Sequence, residues 1–268
     1  SWEDRSYITA GVDIVGPSIS RVFDRPVGPF KRFKHLVEPR IEYEYLSDPG
    51  DTSRIPLFDE VDRTPVTNRA RFTLANRLFA RSRKGVGATE LASLEISQEY
   101  SFSDPLSRSV AEDSQWGPLS ASLRVTPSRG LSFDTRASWD TIYDSLMATS
   151  VATSVSRWGT FLNLTWYQSY IPSSGERSSS QVRSTFGYRD SESPVNLTIQ
   201  LGYDLEQQEF QQQVVRLGYR GSCWGATAEY RDLRIGAYPT RDYRLVITLA
   251  GVGRLPEIQG SLGTAGMP

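Results

Sequence analysis

Hydrophobic and polar residues alternate along nearly the whole chain. In the stretch PVNLTIQLGYDLE, Val195 and Leu197 lie on one side of the alternation, and Asn196 and Thr198 lie on the other. A period of two places successive side chains on opposite faces of a β-strand, whereas a helix would mix them. The same split recurs in GPLSASLRVTPSRG, GTFLNLTWYQSY, SSQVRSTFGYRD and RDYRLVITLAG. The pattern predicts an all-β protein with about thirteen strands of roughly ten residues each.

The strand lengths and the connections between strands both suit a membrane barrel. Ten residues that rise ~3.3 Å each and tilt by ~40–45° span roughly 24 Å, the height of the apolar band of an outer-membrane barrel. Long polar connections such as SDPLSRSVAEDSQWG alternate with short turns such as PSRG and RWG. This alternation is typical of an antiparallel up-and-down transmembrane β-barrel. Some connections depart from it: DSLM and EQQE are short where long loops are expected, and the segment from Gly16 to Phe33 is long where a turn is expected.

The composition narrows the class of protein further. The 268 residues carry a formal net charge of -1 and the pI is near 6.0, so nothing calls for a nucleic-acid partner. No apolar run approaches the ~18–20 residues of a membrane helix, which excludes a helical membrane protein but not a barrel, whose strands show lipid only every second side chain. One cysteine excludes an internal disulfide framework, and a single histidine gives little support to a zinc site or a Ser-His-Asp hydrolase. We expect no cofactor and no enzymatic activity.

The stretch KHLVEPRIEYEYL separates the two faces most sharply. Its apolar side carries Ile41, Tyr43 and Tyr45, and its charged side carries Glu38, Arg40, Glu42 and Glu44. In a membrane barrel the first set faces lipid and the second lines a wet lumen, whereas a soluble sandwich reverses the assignment. Uniform alternation favours the barrel, because a soluble β-protein of this size usually has some strands that are apolar on both faces. The other charged residues expected in the lumen are Arg71, Arg124, Asp134, Arg136 and Arg183.

The same region resembles the C-terminal barrel of LptD, also called OstA or Imp, a family of lipopolysaccharide-assembly proteins. The residues that carry the resemblance are His35, Glu38, Pro39, Arg40, Tyr43, Tyr45, Phe58, Asp59, Asn76 and Arg77. The stretches LEISQEYSF, LSFDTRASWD and SCWGATAEYRD follow in the family's order, so the resemblance runs from about Lys34 to Gly253. It implies a barrel of about 26 strands, of which this chain forms the C-terminal half. Residues 1–268 are then one domain of that barrel, with a long extracellular or lumenal loop at 47–67 and a periplasmic tail at 254–268.

The resemblance also implies a function and a location. The family inserts lipopolysaccharide into the outer leaflet of the outer membrane, through a barrel lumen and a lateral gate where the first and last strands meet. Its barrel surrounds an LptE-type lipoprotein plug and receives the lipid from the periplasmic Lpt bridge through an N-terminal domain. The last strand, Asp242 to Gly251, then forms one side of the gate. Its lumen-facing residues are Arg244, Val246, Thr248 and Ala250.

Other functions and other residue roles stay open. The alternatives to a translocon are a passive porin-like channel and, as a third class, a soluble β-sheet enzyme or carbohydrate-binding module. Pro39 removes a ladder hydrogen bond, so it marks a bulge or a weakened pairing. His35, Glu38 and Arg40 either shape the barrel wall or contact the plug or the substrate.

The loop that contains Phe58 and the single cysteine lead to two further expectations. Phe58 and Asp59 belong to a loop that is too apolar for free solvation, and we expect this loop to fold into or over the lumen. Cys223 stands where the family has an adjacent cysteine pair. It either forms a disulfide with the missing N-terminal region or is an unpaired strand thiol.

Overall fold

The computed structural model describes residues 7–48, 66–83, 87–108, 113–234 and 239–249, together with the backbone of 253–254 and 258–261. Phe58, Asp59 and Ala250 lie outside these described residues. Within the described ranges, no helix has the length and apolar character needed to cross a membrane. The strands are β1 (Thr9–Val15), β2 (Ile19–Phe23), β3 (Phe30–Leu46), β4 (Thr67–Ser82), β5 (Thr89–Ser101), β6 (Ser107–Arg108), β7 (Asp113–Ser114), β8 (Leu119–Ser128), β9 (Leu131–Asp140), β10 (Ser145–Arg157), β11 (Thr160–Tyr170), β12 (Arg177–Arg189), β13 (Val195–Asp204), β14 (Glu209–Arg220), β15 (Trp224–Leu233), β16 (Thr240–Leu249), β17 (Gly253–Arg254) and β18 (Ile258–Ser261).

Most strands that follow each other along the chain are also neighbours in the sheet, while β6 and β7 form a separate two-stranded sheet. Among the described residues, the hydrogen-bonded path runs β1-β3-β4-β5-β8-β9-β10-β11-β12-β13-β14-β15-β16-β17, with β2 on β3 and β18 on β16. The all-β, antiparallel, up-and-down architecture is therefore confirmed. The path holds fourteen strands, and removing the two-residue β17 leaves thirteen, the number that the alternation predicts. Closure into a barrel, and a larger barrel of about 26 strands, stay predictions.

Two compact units divide the chain. The first unit comprises Ser1–Arg124, Arg136–Met147 and Ile171–Gly175, and the second unit comprises Val125–Thr135, Ala148–Tyr170 and Glu176–Pro268. The expectation that 1–268 is one domain of a larger barrel stays a prediction.

Large apolar side chains lie on the surface instead of in a core. The buried apolar residues of the described ranges are Ala70, Ala75, Ala80 and Val214. Large residues such as Val12, Leu164 and Leu217 keep 53%, 43% and 51% of their surface exposed. A soluble β-sandwich buries its apolar face between two sheets. In this protein the apolar face of the strands stays exposed, so it is available to an apolar environment outside the sheet.

Pro39 lies in the middle of β3 and interrupts the strand beside it. It pairs with Leu74 of β4, and the register shift of that pairing lies elsewhere, at the start of β3. On its other side the Pro39 carbonyl accepts the N–H of Gly16 at 2.8 Å, between the end of β1 and the start of β2. Because proline lacks a backbone donor, the ladder breaks on this side. The segment from Gly16 to Phe33, which is long where a turn is expected, therefore contains β2, a connection of 24–29 and the start of β3.

Two similar turns explain the connections that are shorter than the alternation predicts. β9 ends at Asp140, whose Oδ1 accepts the N–H groups two and three residues further on, both at 2.8 Å. β13 ends at Asp204, whose Oδ1 accepts the corresponding N–H groups at 2.8 and 3.0 Å. Each turn closes with a residue at positive φ, Asp144 at 50° and Gln208 at 55°. Because the aspartate satisfies the turn amides itself, four residues are enough to connect the strands.

The predicted turns at PSRG and RWG are confirmed. Arg129 and Gly130 connect β8 to β9, and Trp158 and Gly159 connect β10 to β11. The two glycines have φ values of +80° and +74°, which residues with a Cβ rarely adopt.

Candidate functional site: the charged faces of the strands

The first unit carries a row of charged side chains across four strands. Residues directly opposite each other in an antiparallel ladder point to the same face. The register pairs Asp13 with Glu42, Glu42 with Arg71, and Arg71 with Glu99. The alternation within each strand predicts that these residues are polar, but only the register decides which charges meet.

Arg40 connects β3 to the edge strand. Its Nε and Nη2 donate to the two carboxylate oxygens of Asp13 at 2.8 and 2.6 Å, and Nη2 also lies 2.9 Å from Glu42 Oε1. This bidentate geometry holds the guanidinium in one orientation. Glu38 accepts a hydrogen bond from the Ser18 hydroxyl at 3.0 Å. Both family-motif side chains therefore contact the segment that precedes β3.

Two arginines of β4 connect this strand to both of its neighbours, β3 and β5. Arg69 donates to Glu44 Oε2 at 2.9 and 3.1 Å and lies 3.5 Å from Glu99 Oε2. Arg71 Nε donates to Glu99 Oε1 at 2.8 Å, and its Nη2 contacts the same oxygen. These four side chains and Glu42 line a cavity of about 30 Å³. A space of that size holds a water molecule.

A larger cavity lies beside this network, within the first unit. Its volume is about 380 Å³, and its polar lining includes Arg71, Glu99, Gln98, Ser97, Ser120 and Ser138. The amide of Gln98 donates to the Gly117 carbonyl at 3.1 Å, which holds the segment before β8 against β5. The cavity thus offers one guanidinium, one carboxylate and several hydroxyl groups, which suits a polar ligand such as a sugar.

Aromatic side chains occupy the opposite face of the same strands. The cluster consists of Tyr43, Phe72, Tyr100, Phe102 and Trp116, with ring centroids of contacting pairs 4.9–6.0 Å apart. Tyr43 also donates to Asn68 Oδ1 at 2.9 Å. Tyr45 lies on this face and is 37% exposed. His35 has the same parity, and the register places it opposite Arg21 and Leu78, so it lies on the face away from Arg40.

The second unit has its own charged cluster, centred on Glu229 of β15. This carboxylate is only 8% exposed. It accepts two hydrogen bonds from Arg216 of β14, at 2.7 and 2.5 Å, and one from Arg231 at 2.7 Å. Two guanidinium groups therefore offset the cost of burying one carboxylate.

The predicted gate strand lies next to this cluster. The register places Arg244 opposite Glu229, Val246 opposite Thr227 and Thr248 opposite Gly225. All three gate residues thus share the face that carries Glu229. On the other face, the ring of Tyr243 lies 5.1 Å from the ring of Tyr230.

β16 is not the last strand of the sheet. Thr248 pairs with Arg254 of β17, and Asp242 pairs with Ser261 of β18. The segment expected to be a tail from residue 254 therefore begins with backbone that lies along the outer edge of the predicted gate strand. Its periplasmic location stays a prediction.

The remaining predicted residues are spread over both units. Arg183 of β12 lies 3.5 Å from Gln181 Oε1, and Arg124 and Asp134 lie in β8 and β9 with Arg136 two residues beyond Asp134. Cys223 is an exposed free thiol that directly precedes Trp224, the first residue of β15. Its disulfide to an N-terminal region stays a prediction.

Several charged residues of these networks were not singled out by the sequence. They are Asp13, Arg69, Glu99, Arg216, Glu229 and Arg231. Each lies at a polar position of an alternating strand, which is the signal that could have found them. The alternation gives too many such positions, and only the register separates the paired ones.

Amphipathic strands that alternate up and down, with one charged face and one apolar and aromatic face, are typical of outer-membrane β-proteins. A comparison with protein families matches residues 8–189 to LptD, described as LPS transport system D. Since the match covers more than half of the 268 residues, the chain belongs to the LptD family. The resemblance of the Glu-Pro-Arg strand is thereby confirmed, although the match begins before Lys34 and ends well before Gly253. The family is a transport component of the outer membrane and not an enzyme family.

No curated protein matches the chain. Among solved structures, one described as "Asymmetric conductivity of engineered proteins" is 11% identical, with a TM-score of 0.35, and the match covers 96% of this chain and 93% of that one. A mutant of Rh. blastica porin is 10% identical, also with a TM-score of 0.35, over 95% of this chain and 98% of that one. At this TM-score neither likeness bears on the fold or the function.

Proposed function

We propose that the chain forms part of the wall of an outer-membrane translocon, which passes lipopolysaccharide through its lumen and releases it sideways into the outer leaflet. The observation that carries the proposal is the separation of the two faces in a chain of the LptD family. One face holds the paired charges around Arg40, Arg71 and Glu99, and the other exposes large apolar and aromatic side chains. The apolar face meets membrane lipid, and the charged face meets water and the polar part of the substrate.

The paired charges suit a passage for a lipid that carries phosphates and sugars. A guanidinium held by a carboxylate in bidentate geometry keeps a fixed orientation and retains donors for a passing anion. Arg71 lies between the small cavity and the larger one of about 380 Å³, so it can offer such donors at a polar recess. Because each arginine is already neutralised by a partner, a phosphate is contacted without being trapped.

The exit lies at β16 in this proposal. Arg244, Val246, Thr248 and Ala250 line the lumen side of the lateral gate. An LptE-type lipoprotein plug occupies the lumen, with Glu38 and Arg40 on the wall beside it, and the periplasmic Lpt bridge delivers lipid through an N-terminal domain. The loop of 47–67, with Phe58 and Asp59, folds into or over the lumen.

Photo-crosslinking in cells tests this route. The full-length protein carries a photoreactive residue at Arg244 or, as the matched control on the opposite face, at Leu245. We expect adducts with lipopolysaccharide to form mainly at Arg244. Photoreactive residues at Glu42 and, as its control on the opposite face, at Tyr43 test whether the same route passes the charged row of the first unit.

Two outcomes would contradict the proposal. Equal adducts at Arg244 and Leu245 would mean that lipopolysaccharide contacts the protein only as bulk membrane lipid. A folded, heat-modifiable barrel without adducts at any of the four positions would favour a passive porin-like channel.

A further inference from the structure

The hairpin tip between β10 and β11 carries an unusual residue for its backbone conformation. Trp158 has a φ of 50° in a two-residue turn, and it is 80% exposed. Two-residue hairpin turns prefer Asn-Gly or Asp-Gly, and a bulky residue at positive φ is an outlier. Such strain is retained where the side chain serves a purpose that a better turn residue would not serve.

Two arginines accompany this tryptophan. The guanidinium carbon of Arg157 lies 3.8 Å from the centroid of the Trp158 ring. Arg129 lies at the neighbouring tip, which is joined to this one by a hydrogen bond of 2.6 Å from the Ser156 N–H to the Gly130 carbonyl. Both arginines are exposed, and within the described ranges neither pairs with a carboxylate. The pair of tips therefore presents two arginines without a salt-bridge partner in the described part of the chain beside one exposed indole ring, and Asp190 of the next tip lies against Gly159.

The tip continues the apolar face of the second unit. Arg157 pairs with Thr160, and two positions further along the strand Val155 pairs with Leu162 on the same face. Leu162 in turn pairs with Phe186 of β12. All three of these apolar side chains are exposed by 40–42%. Going along the strand, the face thus changes from apolar at Val155 to cationic at Arg157, with the aromatic Trp158 at the tip. A membrane likewise changes from acyl chains to an interface where tryptophan and basic residues are common.

We propose that Arg129, Arg157 and Trp158 form a binding site for the phosphate of an anionic phospholipid at the rim of the membrane. The inference rests on the proposed function, because it takes the apolar face to be the lipid face. The indole lies at the level of the headgroups, as interfacial tryptophans do, and the two guanidinium groups donate to one phosphate from both sides. Stacking on Arg157 keeps the ring in place and leaves the edge of that guanidinium open to the phosphate.

Quenching of tryptophan fluorescence by brominated lipids tests the site. The full-length protein is placed in nanodiscs of phosphatidylglycerol and phosphatidylcholine at one fixed ratio, and only one of the two lipids carries bromine at a time. The contribution of Trp158 is the difference between the protein and its Trp158→Phe variant. We expect brominated phosphatidylglycerol to quench this contribution at least about fivefold more effectively than brominated phosphatidylcholine, since each basic residue near the surface attracts anionic lipid by about that factor.

Replacing both arginines of the site isolates their role. Arg129→Gln with Arg157→Gln should remove the preference for phosphatidylglycerol and leave the quenching by phosphatidylcholine. The matched control is Arg189→Gln with Arg220→Gln, which removes two exposed arginines from the same ends of two other strands, β12 and β14. Arg189 and Arg220 lie on the charged face, opposite Asn196 and Gly225, so this pair should change nothing.

The outcomes separate this inference from the proposed function. Trp166 lies in mid-strand on the same apolar face, opposite Val151 and Val182, and its contribution is measured with Trp166→Phe. If Trp166 is quenched but Trp158 is not, the tip contacts water or another protein, and only the lipid site is overturned. If neither is quenched, the face does not meet lipid and the proposed function fails as well. An equal loss of preference in the control pair would also overturn the site, because it would reflect overall charge.

Discussion

Replacing Glu229 by glutamine should destabilise the folded protein more than any exposed carboxylate change. The carboxylate is 8% exposed and accepts three hydrogen bonds from Arg216 and Arg231. A hydrogen bond to a charged group contributes roughly 1.5–3 kcal/mol. The two arginine side chains keep 46% and 36% of their surface in solvent, so water compensates for part of the loss, and the glutamine retains one acceptor. We therefore expect the free energy of unfolding to fall by about 2–3 kcal/mol.

The assay is urea unfolding of the full-length protein in detergent micelles, followed by tryptophan fluorescence and extrapolated linearly to zero urea. Glu192→Gln is the matched control, because Glu192 is exposed in the turn before β13, and it should stay within about 0.5 kcal/mol of the parent. Arg216→Gln in a double-mutant cycle with Glu229→Gln should give a coupling energy of about 1–2 kcal/mol. A change of less than about 0.5 kcal/mol for Glu229→Gln would refute the reasoning, because the buried pairing would then contribute no more than a surface ion pair.

Three further predictions concern the turns, the charged row and the cysteine. Gly130→Ala should lower the free energy of unfolding by about 2 kcal/mol or more, since its Cβ would lie 2.2 Å from a backbone oxygen. Gly175→Ala is the control: it has open space around it, and its positive φ alone should cost about 1 kcal/mol. Equal costs for the two variants in urea unfolding would contradict this prediction. Arg71→Glu should make cells more sensitive to large antibiotics, and adding Glu99→Arg should restore resistance, unless the pairing has no part in the barrier. Cys223, an exposed thiol, should react with maleimide in the full-length protein only after reduction if it forms the predicted disulfide; labelling without reductant would exclude that bridge.

Local chemistry explains why the strands and most turns could be predicted from the sequence. Period-two alternation depends only on neighbours along the chain, and it assigns Ile41 and Glu42 to opposite faces without knowledge of any partner strand. Turn residues also act locally, as the aspartate that ends β9 shows. The connections at DSLM and EQQE, which are short where long loops are expected, also have a local cause, because Asp140 and Asp204 accept hydrogen bonds from the amides of their own turns.

The tertiary structure alone decided which of the polar residues meet. Glu42 and Arg71 are 29 residues apart along the chain, and Arg71 and Glu99 are 28 residues apart. A shift of the register by one residue would turn every side chain to the other face. Long-range pairing also decided on which side of β3 the ladder breaks at Pro39: the break lies between β1 and β2, and the pairing of β3 with β4 continues. The same kind of pairing places β18 along β16. The sequence by itself thus determined the two faces of each strand, because they depend on a local period. The ion pairs across those strands depend on register, which only the assembled sheet defines.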